Sequence, residues 1–465
     1  MDCGIDITQI VEMDPTDAEH QKLLQAIQGN ILKSHGRDRS IHLFLKFNDG
    51  KKAKKKAKAW IGEFGREYVT SAYDQSEQAA RYRATKQSEP FVNFFLSMDG
   101  YMHLGFSYSK TPSNVYFRGG MQDPSSLDLL KDPPVDSWED EFGDRKFHAL
   151  IIIADDNQEK IEELVKTIEG QVADFQSYIH KEQGFVLRED PGDNTSPVIE
   201  HFGFRDGVSQ PLFMKKDIEK ARGNEADGFS KWDPRAPLNL VLVEDSLGTG
   251  DCSYGSYLVY RKLEQNVEGW KEDVLALSEK LDDIEPALAG AYVVGRFQDG
   301  TPVLDSQIPE AKPTTTNNFN YEADSEALKC PFHAHIRKTN PRGDSPDDLD
   351  NEKMHRIARR AISYGNEEIE EAGQEGSGLL FLCFQANLGN QFMFMQSNWA
   401  NAPDFVERGV GADPVIGPGN TTESYNWPAS WGRPEKKEAD FTKWVTMKGG
   451  EYFFAPSMSF FESLT

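Results

Sequence analysis

Hydrophobic residues along the chain fall into short runs separated by longer polar segments. Runs of about four to eight apolar or alternating residues, bounded by turn residues, are typical of β-strands. Between positions 41 and 47, for example, the odd-numbered residues are all apolar and share one strand face. The predicted strands are Ile41–Phe47, Tyr101–Phe106, Ala149–Ala154, Ser256–Tyr260, Leu379–Phe384 and Tyr452–Ala455.

Helical patterns lie between these strands, at Asn157–Ile168, Val267–Leu281 and Asn351–Ile362. Mixed elements with widely spaced, partly alternating strands favour an α+β protein with antiparallel sheets, covered on one face, over a doubly wound parallel sheet. A segment from Lys215 to Pro237 is charged and rich in Gly, Asp and Pro, which is typical of a linker. We therefore expect two domains, residues 1–225 and 226–465.

The charge balance narrows the classes of partner. The 51 Lys and Arg residues against 76 Asp and Glu residues give a formal charge of −25, which repels nucleic acid and anionic membranes. No apolar run reaches the roughly 18 residues of a membrane-spanning helix. The segment Met1–Asp14 lacks the basic start and apolar core of a secretory signal, so we expect a cytoplasmic protein.

The four cysteines are far apart and show no CxxC spacing. Such spacing is the usual signature of zinc or redox sites, so its absence favours free thiols at all four positions. Cys383 lies inside an apolar run, and we expect it to be buried. The cysteines are Cys3, Cys252, Cys330 and Cys383.

A glycine-flanked acid is the first candidate for chemistry. In Gly203-Phe204-Arg205-Asp206-Gly207, two glycines permit a tight turn that could present the Asp206 side chain into a cavity. The competing interpretation is a loop aspartate that caps its own turn.

A pair of histidines, His333 and His335, is the second candidate. In an extended segment they would share a face and could bind one metal together, whereas on a helix they would diverge and only one could be a ligand. Across proteins an unassigned histidine is more often a satisfied polar group than a ligand.

Two further segments indicate a functional site only in combination with the first two candidates. Arg356, Arg359 and Arg360 lie in a helix-like run, where a buried arginine can stabilise a developing oxyanion but a solvated helix face is the more usual outcome. The apolar run from 377 to 385 is ordinarily a buried strand.

Taken together and in this order, the four segments resemble the dye-decolorizing peroxidase family. The resemblance rests on the Gly-Phe-x-Asp-Gly turn, Ala334-His335-Ile336-Arg337 followed by Asn340-Pro341-Arg342, the double arginine and the Gly-Leu-Leu-Phe strand, and it extends over roughly residues 28–455. It implies two ferredoxin-like units with packed antiparallel β-sheets and peripheral helices, barrel-like as in dimeric α+β barrels. It also implies one haem b per chain, held mainly by the C-terminal unit.

The resemblance also assigns site residues. It implies His335 as the axial iron ligand, Asp206 as the acid/base that activates peroxide, and Arg359 as its cationic partner, with Arg360 as the near alternative. The double arginine is followed by Ala361 where relatives commonly have Gly. The remaining residues implied at the cofactor are Leu379 and Phe381 over its distal face, together with Arg342, Phe204 and Gly207.

The implied activity is reduction of hydrogen peroxide coupled to one-electron oxidation of anthraquinone dyes and phenolic or other aromatic reductants. An aspartate base, with a reference pKa of about 3.9, predicts an acidic optimum. The residue that bonds the proximal imidazole is open, and Gln385 and Asn387 offer amides where some relatives carry an acid. If an amide takes that role, we expect a higher reduction potential.

The sequence leaves two other functions open. The first is a haem carrier or iron-release protein with incidental peroxidase activity, against which a distal acid and cation argue. The second is a non-haem metalloenzyme that uses His333 with His335. The reductant and the oligomeric state stay open, and the aromatic residues considered as radical relays, each more easily explained as structural, are Tyr364, Trp399, Trp427 and Trp431.

Overall fold

A closed antiparallel barrel forms the centre of the computed structural model, which describes residues 3–143, 146–311, 315–367, 372–419 and 421–464. The barrel strands are β1 (Arg39–Phe47), β2 (Phe91–Leu96), β3 (Ala149–Asp155), β4 (Gln176–Phe185), β8 (Tyr254–Gln265), β10 (Ile362–Tyr364), β11 (Gly378–Gln385) and β14 (Val445–Ala455). Within the described ranges these eight belong to a ten-stranded sheet. Strand β8 pairs with both β11 and β14, which closes the barrel in the order β8-β14-β2-β3-β1-β4-β10-β11.

The two halves of the chain each contribute four consecutive positions in this ring. They meet where Leu96 pairs with Phe454 and where Phe185 pairs with Ser363. Short strands complete the set at β5 (Leu187–Arg188), β6 (Val198–Ile199), β7 (Val243–Glu244), β9 (Ala358–Arg359), β12 (Thr422–Pro428) and β13 (Lys436–Thr442).

The helices pack outside the barrel or in the loops between strands. No helix in the described ranges is long and apolar enough to cross a membrane. The longer helices are α1 (Ala18–Ala26), α2 (Lys51–Tyr68), α3 (Ala72–Thr85), α8 (Gln158–Val172), α9 (Lys215–Asn224), α10 (Val267–Lys280) and α11 (Pro286–Val294). The shorter ones are α4 (Met98–His103), α5 (Val115–Gly119), α6 (Pro124–Leu130), α7 (Asp140–Gly143), α12 (His335–Thr339), α13 (Leu349–Lys353), α14 (Phe392–Phe394) and α15 (Met458–Glu462).

Both faces of β1 are buried, which differs from the single covered face that we predicted. Phe44 and Tyr260 lie on strands that are not neighbours in the sheet, yet their ring centroids are 4.9 Å apart. They therefore meet across the barrel interior, where His42 also bonds the Tyr260 hydroxyl. A barrel buries the inner face with its own side chains, and outer helices cover the other.

Two of the predicted elements are wrong. The segment Tyr101–Phe106 is not a strand, because Ser97 caps a helix by accepting a hydrogen bond from the Gly100 amide. The predicted helix Asn351–Ile362 is only one short turn, α13, followed by β9 and β10. The arginines of that segment are therefore carried by extended chain.

The prediction of four free thiols is wrong for one pair. Cys3 and Cys252 form a disulfide bond that joins the N-terminal segment to the loop before β8. Their separation of 249 residues in the sequence hid the pairing, since spacing alone does not define connectivity. Cys330 and Cys383 are free and buried, as expected for Cys383.

Candidate functional site

A cavity of about 550 Å³ lies outside the barrel wall, between strands β8 and β11 on one side and helix α12 on the other. The strands carry alternating side chains to it, because residues two apart share a face. Leu379 and Phe381 line the cavity, whereas the intervening Leu380 is fully buried. The other apolar side chains of its wall include Leu263, Val294, Phe297, Ile336, Val415 and Met447.

His335 stands at the first residue of α12 and projects into this cavity. Its Nδ1 lies 2.8 Å from Oδ2 of Asp413, a carboxylate with no exposed surface. The other carboxylate oxygen of Asp413 accepts hydrogen bonds from the amides of Val415 and Ile416. The imidazole is thereby held in one orientation, with Nε2 as the nitrogen left for a ligand.

The surroundings of Asp413 favour its charged form. Burial by itself raises the pKa of this carboxyl, but the neighbouring His335 and the two backbone amides outweigh it, so the pKa lies below its usual value. Sequence reasoning missed Asp413 because it lies 78 residues from His335 in a loop rich in Gly and Pro. The amide residues considered instead, Gln385 and Asn387, bond other groups.

Helix α12 is fixed from behind by the arginine of the Ala-His-Ile-Arg motif. Arg337 is fully buried and donates to the Asp324 carboxylate, the Asp344 carboxylate and the Cys330 carbonyl. A buried guanidinium needs such partners, because it cannot lose its charge by deprotonation and its five N–H donors require acceptors. The first turn of the helix, and with it His335, is therefore anchored to the loop on its far side.

The acid of the glycine-flanked turn lies beside an arginine on the wall of the same cavity. Asp206 Oδ1 lies 3.5 Å from Nη1 of Arg359, and the two side chains are 19% and 32% exposed. Both glycines have positive φ, 89° at Gly203 and 72° at Gly207, as the tight turn requires. The amide of Gly207 donates to the Asp206 carboxylate at 2.6 Å, so the competing interpretation of a self-capped turn is also satisfied.

The two adjacent arginines have different surroundings. Arg359 lies on the cavity wall, whereas the buried Arg360 donates to the carbonyls of Asn30, Ile31 and Arg359. Burial lowers the pKa of Arg360 to about 10. Because neighbouring residues of extended chain point to opposite sides, the structure presents Arg359 to the cavity and turns Arg360 toward the N-terminal half.

The other predicted cofactor residues lie around the same space, with one exception. Phe204 and Arg342 line the cavity, and Arg342 donates to Ser209 and to backbone carbonyls of Asn317 and Phe319. Gly207 instead lines a second cavity of about 680 Å³, which shares Asp206 and Arg359 with the first. The acid and the arginine therefore stand in the wall between two cavities.

Glu200 is a cavity-lining carboxylate that sequence reasoning did not single out. It accepts hydrogen bonds from the Phe202 and Phe204 amides and from the Gln265 side chain, which closes the turn that leads to Asp206. Burial raises the pKa of Glu200 to about 7. An acid three positions before the glycine-flanked turn gave no sequence signal that distinguished it from a surface acid.

His333 does not join His335. Its buried ring packs against Tyr425 and Trp427, with centroids 4.7 Å and 4.3 Å away, and burial lowers its pKa to about 3. Within the described ranges, no group of three His, Cys, Asp or Glu residues could hold a metal ion. The paired-histidine metal site therefore has no support in the structure.

Comparison with known proteins agrees with this architecture. One family model, described as the DyP dimeric alpha+beta barrel domain, matches residues 26–187, and another, described as Dyp-type peroxidase, C-terminal, matches residues 227–408. The multifunctional dye peroxidase DyP2 of Amycolatopsis sp. is 36% identical, covering 99% of this chain and 100% of the relative. The chain belongs to the dye-decolorizing (DyP-type) peroxidase family.

Solved structures of DyP-type peroxidases share the whole fold. The enzyme from Anabaena sp. has a TM-score of 0.94 at 48% identity, with 99% of each chain covered. The structure of DyP2 from Amycolatopsis sp. has a TM-score of 0.88 at 34% identity, covering 99% of this chain and 100% of that one. The predicted α+β barrel fold and the predicted enzyme class, a peroxidase, are confirmed.

A deferrochelatase of Yersinia pestis is a more distant relative of this DyP-type chain. It is 27% identical over 252 residues, which is 53% of this chain and 48% of the relative. This similarity is lower than that to the dye peroxidase DyP2 and covers about half of the chain. The comparisons therefore favour a peroxidase over the haem-carrier alternative.

Proposed function

We propose that this DyP-type peroxidase binds one haem b in the cavity between β11 and α12, with His335 as the iron ligand. The observation that carries the proposal is that His335 and the Asp206–Arg359 pair face one cavity with apolar walls. Haem b suits such a space, because its ring is flat and apolar while its iron takes an imidazole. The residues that line the cavity fit haem b. The buried Arg342 guanidinium also lines the cavity, where it would pair with the carboxylates of the haem.

When bound, the haem would supply the iron-centred redox chemistry that gives two electrons to hydrogen peroxide, and the aromatic reductants would return them one at a time. The protein has to handle the protons: the inner peroxide oxygen loses one, and the outer oxygen gains one as the O–O bond breaks and water leaves. We assign this transfer to Asp206, whose carboxylate takes the proton and returns it to the outer oxygen. Arg359 stabilises the charge that develops on the departing oxygen.

The two walls of the cavity divide this work. Asp413 keeps the His335 imidazole oriented and electron-rich, which favours the oxidised state of a bound iron. Leu379 and Phe381 exclude water above the distal side, and Phe204 and Gly207 set the turn that carries Asp206. Hydrogen peroxide and aromatic reductants are the proposed substrates, and residues 1–225 and 226–465 remain the proposed domains.

The test compares turnover with release. Haem-loaded protein is mixed with hydrogen peroxide and an anthraquinone dye, and dye oxidised per haem is measured beside iron released per haem. We expect many dye molecules per haem and no stoichiometric iron release, with turnover falling strongly in Arg359→Leu. Release of iron with fewer than one dye oxidised per haem would favour the carrier alternative.

A further inference from the structure

Lys338 is a buried lysine whose role no part of the proposed chemistry explains. It lies one turn after His335 on α12 and has no exposed surface. Burial lowers its pKa to about 8. Taking an ammonium group out of water is unfavourable unless partners compensate, so an apolar residue would be the simpler choice at a purely structural position.

The partners of Lys338 identify what it holds. Its Nζ donates to the Ala402 carbonyl at 2.6 Å and also to the Phe405 carbonyl. Both carbonyls belong to the loop that follows the helical segment ending at Ala400. The side chain therefore links the haem-ligand helix to a loop more than sixty residues further along the chain.

The same loop supports the backbone of Asp413. The amide of Asp413 donates to the Ala400 carbonyl at 2.7 Å, and the amide of Gly411 donates to the Pro403 carbonyl at 3.0 Å. Asp413 then bonds His335, which closes a ring of contacts that begins and ends on α12. The ligand and its carboxylate are thus joined twice, once directly and once through Lys338.

We propose that Lys338 is a positioning residue that holds the Asp413 carboxylate against the His335 imidazole. The inference rests on the proposed role of His335 as haem ligand. The ring fixes the spacing between α12 and the loop that anchors Asp413. Without the ammonium group, two buried carbonyls lose their donor, the loop is freed to move, and the imidazole–carboxylate bond lengthens.

Positioning and charge predict opposite signs for the reduction potential of the haem iron. A weaker carboxylate bond makes the imidazole less electron-rich, which destabilises the ferric state and raises the potential. Loss of a positive charge near the iron, with the geometry unchanged, stabilises the ferric state and lowers the potential. The sign therefore separates a positioning residue from a simple buried charge.

The experiment measures the ferric/ferrous midpoint potential of the haem-loaded wild type, Lys338→Met, Lys338→Arg and Asp413→Asn. Lys329→Met is the matched control, because it removes a positive charge at a lysine that packs over Trp431 instead of bonding the loop. We expect Lys338→Met to raise the potential, by less than Asp413→Asn does. Lys338→Arg, which keeps donors for the carbonyls, should stay closer to wild type, and Lys329→Met should not raise the potential.

A second readout does not depend on the iron. Amide hydrogen exchange of the haem-loaded protein, followed by mass spectrometry of peptides that cover residues 400–417, should be faster by about tenfold or more in Lys338→Met, since charge-assisted hydrogen bonds are lost. An unchanged or lower potential, or unchanged exchange at Gly411 and Asp413, would overturn the inference. If Asp413→Asn itself fails to raise the potential, the proposed proximal pair is wrong instead. Should Lys338→Met fold poorly, a potential for Lys338→Arg below that of wild type would overturn the inference as well.

Discussion

The two polar pairs at the cavity are built in contrasting ways. His335 and Asp413 are 2.8 Å apart, and the carboxylate is fully buried with additional backbone donors. Asp206 and Arg359 are 3.5 Å apart, and both side chains are partly exposed on the wall between two cavities. A ligand must not move during turnover, whereas a group that transfers protons has to meet peroxide, so fixed and adjustable geometry suit the two tasks.

The secondary structure that carries each pair follows the same division. His335 is on a helix anchored by Arg337, and Asp413 is held in a ring of contacts through the Ala400–Phe405 loop. Asp206 is on a tight turn whose conformation depends on two glycines with positive φ. We call His335 and Asp413 the proximal wall, and Asp206 and Arg359 the distal wall. We expect changes on the proximal wall to affect haem binding and reduction potential, and changes on the distal wall to affect a single kinetic step.

The largest effect should come from His335, the proposed iron ligand. His335→Ala removes the imidazole, so we expect the protein to lose stoichiometric haem and its Soret absorbance. His333→Phe is the matched control, because His333 packs among aromatic rings and should leave haem content unchanged. Full haem retention in His335→Ala would contradict the assignment of the proximal wall.

Next in size is the second residue of the proximal pair. Asp413→Asn keeps the shape of the side chain but removes its charge, so the imidazole becomes less basic. Changes to such outer partners typically cost about 10-fold to 100-fold in metal affinity or activity. Haem dissociation, measured by transfer of haem to an excess of an acceptor globin, should accelerate by a factor in that range. Glu423→Gln is the control and should have a smaller effect, because Glu423 accepts a hydrogen bond from the amide of Ala412, next to Asp413, and does not contact His335 itself.

The smallest expected effect is the pH dependence of the free energy of unfolding. Glu200 and Asp413 contribute to it with opposite signs. Glu200 has a pKa of about 7 in the folded protein, above its ordinary value of 4.5, so the folded state binds more protons between those values. Its contribution therefore favours folding at low pH and is lost as pH rises toward 7, by at most about 1.4 kcal/mol per pH unit. Asp413 has the opposite sign, because its pKa is lowered and its contribution is lost only in more acidic solution.

Thermal unfolding of the haem-free protein across pH 5 to 8 tests the contribution of Glu200. Glu200→Gln should flatten the decline of stability with rising pH. Only the slope is diagnostic, because the substitution also removes hydrogen bonds. A slope in Glu200→Gln equal to that of the wild type would refute the raised pKa.

The sequence allowed much of this architecture to be predicted. Five of the predicted strands coincide with β1, β3, β8, β11 and β14, because short apolar or alternating runs bounded by turn residues are typical of buried strands. Strand β4 was missed, since Gln176–Phe185 is largely polar and pairs by backbone bonds with β1 and β10. Barrel closure was implied by resemblance alone, because pairing between distant strands leaves no local trace.

The candidate site was predictable only where its residues lie in local motifs. The family resemblance, carried by such motifs, selected Asp206, His335, Arg359, Leu379 and Phe381, and the structure brings all five to one cavity. Asp413 and Lys338 act through contacts to distant loop segments, which no spacing reveals. The disulfide between Cys3 and Cys252 escaped prediction for the same reason.

The central claim, that Asp206 transfers the peroxide protons, is tested most directly by stopped-flow spectroscopy of the haem-loaded protein mixed with hydrogen peroxide. General acid–base groups typically contribute about 10²-fold to 10⁴-fold, so the Soret change in Asp206→Asn should slow by that range at unchanged haem content. Glu189→Gln, which alters the carboxylate bonded to Arg205 on the same turn, should react at the wild-type rate. A peroxide step in Asp206→Asn as fast as in wild type would contradict the account.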